Sequence, residues 1–127
     1  MAIYVLDRPG KERDQILQWV TEVCGGEDPQ PFLEFAQFQG QVLVAPPQLC
    51  LIRLGRDDVP GLQAAALVRQ QNPDARIVFV ADNSDYAIAA YELGADGYLL
   101  SPVKRDKLHR LLVHATSSSR ELCGNLG

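Results

Sequence analysis

The chain has 127 residues, 46% of them hydrophobic and 22% charged, with a formal net charge of −4. That length suits one domain, which can bury roughly two-thirds of its unfolded surface. A nucleic-acid footprint as the main feature is excluded: the densest basic stretch, Lys104-Arg105-Asp106-Lys107, is interrupted by an acid and reads as a solvated helix start.

From the N-terminus, "AIYVLD" lacks the basic region and long apolar core of a signal peptide. Short apolar runs then recur at 3–6, 32–35, 49–52, 77–80 and 98–100. Their length and lack of polar alternation suit strands buried on both faces of a parallel sheet. Helical patterns lie between them. Ile16, Leu17, Val20, Val23 and Cys24 share one helix face, and Gly25-Gly26 ends that helix. The segment 36–47 has no clear period of its own, and a short helix is expected there only from the alternation. Leu62, Ala65, Ala66 and Arg69 continue a helix that opens after Pro60-Gly61. Ser84 is the expected N-cap ahead of "DYAIAAYEL", with Gly94 just past its end. Leu108, Leu111, Leu112 and Ala115 form one apolar stripe on the last helix. The expected domain is residues 1–116, with 117–127, small, polar and aperiodic, as a tail or the start of a linker to an output domain.

Alternation of five strands with five helices predicts an α/β fold, a flavodoxin-like (βα)5 three-layer sandwich with a parallel five-stranded sheet in the order 2-1-3-4-5. No stretch approaches the ~20 apolar residues of a membrane span. Cys24, Cys50 and Cys123 are odd in number and lack metal-like spacing. A reducing, cytoplasmic location is the expectation from this usage. His109 and His114, five apart, sit about 140° from each other around a helix, so no metal site is expected from them.

The stretch "PDARIVFVADNSDYAIAAYELGADGYLLSPVKRDKL", residues 73–108, resembles the second half of response-regulator receiver domains. It is most similar to those that precede LytTR-type DNA-binding domains. The resemblance extends over residues 2–115 and is carried most specifically by "GADGYLLSPV". It implies a phosphoacceptor aspartate after the third strand and an acidic pair after the first to hold Mg²⁺. It also implies a hydroxyl residue after the fourth strand and a lysine after the fifth, both for phosphoryl oxygens. On this chain the first acidic position falls on Asp7 and the second on Arg8. The phosphoacceptor position falls on Arg53, its register supported by Gly61 eight residues on. The hydroxyl position is Ala81 and the lysine position Ser101. Asp57 and Asp58, in the loop past Arg53, read as turn residues and not as replacement acceptors.

Arginine has no acceptor and stays protonated, so it is no nucleophile. It also opposes a metal: +2 and +1 charges ~4 Å apart repel by about 8 kcal/mol at an effective dielectric of 20. Two arrangements follow. Arg53, with or without Arg8, lies against Asp7 and stands in for the cation, or it swings to solvent and leaves Asp7 an ordinary strand-end carboxylate.

The resemblance further implies a switch aromatic at Tyr98 and a cis peptide at Pro102. It implies a contact face of helix 4, strand 5 and helix 5, carrying Tyr86, Ile88, Tyr91, Arg105 and His109; inward packing of Ile88 and Tyr91 on the sheet is the competing reading. The function expected is a phosphorylation-independent receiver domain, a signalling or dimerisation module of a two-component-type transcriptional regulator. Its partner is a second copy or another protein, with no direct nucleic-acid or membrane binding. The alternatives are a small-anion sensor using Arg8, Arg53 and Ser101, and a stand-alone docking adaptor. A flavodoxin-like enzyme or cofactor binder is disfavoured, since "DRPGKERD" lacks a glycine-rich phosphate loop and no nucleophile–base arrangement is evident. No enzymatic activity and no cofactor are expected.

Overall fold

The computed structural model describes residues 2–25, 27–55 and 60–122, the last of these, 114–122, by backbone alone. Asp57, Asp58, Gly26 and Cys123, and the side chain of His114, lie outside the described residues. Strands β1 (Ile3–Leu6), β2 (Gln30–Phe32), β3 (Leu49–Arg53), β4 (Arg76–Ala81) and β5 (Gly97–Leu100) alternate with helices α1 (Lys11–Val23), α2 (Phe35–Val44), α3 (Gly61–Gln71), α4 (Ala87–Glu92) and α5 (Arg105–Leu122). All strands are parallel, in the order β2-β1-β3-β4-β5. The expected α/β sandwich and winding are therefore present.

Successive strand residues point to opposite faces, so the sheet divides its core in two. Tyr4, Leu6, Cys50, Ile52, Ile77 and Phe79 pack with Phe38 and Val42 of α2, Ala64, Ala65 and Val68 of α3, and Ala90 of α4. Ile3, Val5, Leu51, Val78 and Val80 pack on the other side with Ile16 and Val20 of α1 and Leu108 and Leu112 of α5. The apolar runs at 3–6, 49–52 and 77–80 are the three central strands of this sandwich, and 98–100 lies in the edge strand β5.

Three boundaries differ from expectation. β2 is Gln30–Phe32, not 32–35: Phe35 opens α2, and the edge strand needs an apolar residue only at Phe32. Ser84 is not an N-cap, because the Asn83 side chain accepts the Asp85 N–H at 3.0 Å and makes a turn that delays α4 to Ala87. α5 continues to Leu122, so the backbone of 117–122 is helical where the sequence has no apolar period. The end of α4 fulfils its reading: Gly94 is left-handed (φ 82), its N–H bonds the Tyr91 carbonyl, and Ala95 N–H bonds that of Ala90.

Candidate functional site

Parallel pairing of β1 with β3 brings Asp7 and Arg53 side by side at the C-terminal edge of the sheet, where ligands of such folds bind. Both are buried, Asp7 at 3% and Arg53 at 5% exposure. Arg53 lies flat against Asp7. Its Nε donates to Asp7 Oδ1 and its Nη2 to Oδ2, each at 3.0 Å, a two-pronged fork matching the carboxylate. The reading in which Arg53 swings to solvent is overturned by this contact. Arg8 takes no part through its side chain, which is exposed; its backbone N–H donates to Asp7 Oδ1 at 2.7 Å.

Two residues that the sequence did not single out complete the cluster. Glu12, in the first turn of α1, accepts from Arg53 Nη2 at 2.5 Å. The same carboxylate accepts from the Ser101 hydroxyl at 2.5 Å and from Val103 N–H at 2.8 Å. Asp82, directly after β4, faces Arg53 Nη1 at 3.9 Å. Ser101 accepts from Arg53 Nη1 at 2.9 Å, and its peptide bond to Pro102 is cis. Ala81 is buried at the end of β4 and offers only a methyl group.

The electrostatics follow from this wiring. Burial raises the Glu12 carboxyl, but hydrogen bonds from Ser101, Arg53 and Val103 N–H together bring it below its ordinary value. Burial opposes the Arg53 charge, and the bonds to Asp7 and Glu12 outweigh it, so the guanidinium stays protonated. Four of its five N–H groups are in hydrogen bonds and the fifth points towards Asp82. Mg²⁺, which receiver phosphorylation employs, does not fit here: both oxygens of Asp7 and one of Glu12 already accept from a buried cation. On Arg53 an anion would find one N–H outside a hydrogen bond, on Nη1, and that group faces the exposed carboxylate of Asp82.

On the β5 side of the sheet, Tyr98 donates its hydroxyl to the Asn83 carbonyl at 2.7 Å and tilts against Tyr91, ring centroids 6.5 Å apart. Tyr86, Ile88, Tyr91 and Leu100 are exposed, Ile88 at 78%, so inward packing of Ile88 and Tyr91 does not occur. His109 is also exposed. Arg105 leans away from this face and pairs with Glu22 of α1 at 2.9 Å.

No family model matches the chain. Solved structures resemble it over nearly its whole length. The response regulatory domain of protein mrkE from Klebsiella pneumoniae superposes with a TM-score of 0.86 at 16% identity, covering 95% of this chain and 99% of that one. The chain has the receiver-domain fold. The REC domain of AraT from Geobacillus stearothermophilus shares this receiver fold with a TM-score of 0.83 at 16% identity, over 97% and 98% of the two chains. NtrX from Brucella abortus gives 0.80 at 21% identity, over 94% of this chain and 28% of that one. In sequence, 74 residues are 27% identical to the positive alginate biosynthesis regulatory protein of Pseudomonas aeruginosa, 58% of this receiver-like chain and 30% of that protein. The chain thus matches under a third of the length of NtrX and of the alginate regulator.

Proposed function

We propose that this chain is a phosphorylation-independent receiver domain, a non-enzymatic signalling module of a larger regulator. The observation that carries the reading is the Arg53 fork on Asp7, closed by Glu12. At the position the resemblance assigns to the phosphoacceptor stands a cation with no lone pair to attack phosphorus. Its charge satisfies the acidic group that would otherwise attract a metal, and Ser101 joins the cluster where a lysine is implied. The pocket is thereby held in one state by groups of its own. Output then runs through protein contact, for which the exposed Tyr86, Ile88, Tyr91 and Leu100 of the α4–β5–α5 face are suited, aromatic residues being enriched at interfaces. The regulatory role named for the Pseudomonas relative supports a place in a larger regulatory protein.

Incubation with acetyl phosphate and Mg²⁺ followed by intact-mass measurement tests the reading. The expected spectrum is that of the unmodified chain. A stable adduct of about 80 Da, the phosphoryl increment, overturns it.

A further inference from the structure

Away from the Arg53 cluster, α2 leaves a face with no partner among the described residues. Leu43 and Val44 are 55% and 81% exposed, and Leu33, just before the helix, is exposed beside them. Ala36, Gln37 and Gly40 continue the same side at helical spacing and are exposed too. No charged residue occurs anywhere between Glu34 and Arg53. The neighbouring α3 adds exposed Gln63, Gln70 and Gln71. Its one charge, Arg69, is drawn off to the carbonyls of Pro73, Ala75, Leu93 and Gly94.

We propose that this α2 face is a self-association surface through which two copies of the chain pair about a twofold axis. Charge selects a second copy as the occupant. Two molecules of net charge −4 repel, and the contact that costs them least is one from which ionised groups are missing. A twofold contact sets each patch against itself, so its polar groups must be able to pair with their own kind. A glutamine amide both donates and accepts and meets that condition, whereas a lysine or a glutamate facing its own copy does not. Gly40 leaves open space at the middle of the face, where a Cβ would meet nothing within 4 Å. The pairing is helix to helix and does not extend the sheet, because Pro31 in the edge strand β2 has no N–H to donate. This surface is separate from the Arg53 pocket and from the α4–β5–α5 face, and it stands or falls independently of the phosphorylation reading.

Sedimentation equilibrium of the full chain over a wide concentration range tests it, with no phosphodonor present. The expected result is a reversible dimer whose Kd rises at least about tenfold in Leu43→Glu. Gln37→Glu, a near-isosteric change at an exposed position, is expected to weaken it in the same direction. Both variants should keep the parent melting temperature, and the dimer should persist when NaCl is raised from about 50 to about 500 mM, because no opposite charges hold it. A chain that stays monomeric, a dimer broken by salt, or one lost in Ile88→Glu but kept in Leu43→Glu overturns the proposal.

Discussion

At the residue scale, the pocket carries its own cation: Arg53 lies against Asp7 and Glu12. A guanidinium buried with two carboxylates is stable only as a set, since removing one member strands the others in low dielectric. Arg53→Met should therefore cost roughly 3 kcal/mol in chemical unfolding, leaving Asp7 and Glu12 without their cation. Glu12 sets the acid limit of this arrangement. Its folded pKa lies below the ordinary 4.5, so the stability it contributes is complete above that value and is lost as pH falls through the lowered one. Glu12→Gln should accordingly lower stability at neutral pH and show a shallower decline in acid, measured as urea midpoints at a series of pH values. Asp7 and Arg53 were legible in the sequence because both end strands that must be neighbours in a 2-1-3-4-5 sheet. Glu12 was not, because its reach depends on how the first turn of α1 tilts over the loop after β5, a tertiary distance that spacing does not encode.

At the scale of elements, the register of the site depends on a glycine. A Cβ at Gly61 would lie 2.8 Å from the Arg53 carbonyl oxygen and 2.7 Å from Leu54 Cδ2. The start of α3 could not then sit against the end of β3. Gly61→Ala should cost about 1–3 kcal/mol, since the backbone oxygen cannot move aside without shifting the strand. Its thermal unfolding, compared with the parent, checks this. The central strands were readable because burial on both faces removes polar alternation from their sequences. β2 and α4 misled for opposite reasons: an edge strand tolerates Gln30 and Pro31, and the Asn83 turn competes with Ser84 for the start of the helix.

For the whole molecule, the two helix layers separate its tasks. α1 and α5 carry much of the charge, including the Arg105–Glu22 pair, and α1 closes the pocket through Glu12. Ile88, 78% exposed, contributes little to folding, so Ile88→Ser should leave unfolding free energy within about 0.5 kcal/mol of the parent, while Tyr91→Ala, which also removes the ring contact with Tyr98, should cost no more than about 1.5 kcal/mol. Loss of partner binding in a stably folded Tyr91→Ala chain would then report docking alone. Amide exchange should be slowest in β1, β3 and β4, whose flanks are paired on both sides, and faster in the three-residue edge strand β2. The fold class could be read from alternation alone. Which face meets a partner could not, because outward or inward packing of Ile88 and Tyr91 depends on where α4 begins.

Arg53 is the resident cation of Asp7, and a double-mutant cycle in chemical unfolding reads the coupling between the two. Arg53→Met and Asp7→Asn are measured singly and together. The double variant should be more stable than the sum of the single losses implies, by about 1–3 kcal/mol, because each single change strands a buried partner. Additive losses would mean that the two side chains do not depend on one another, and would contradict that role for Arg53.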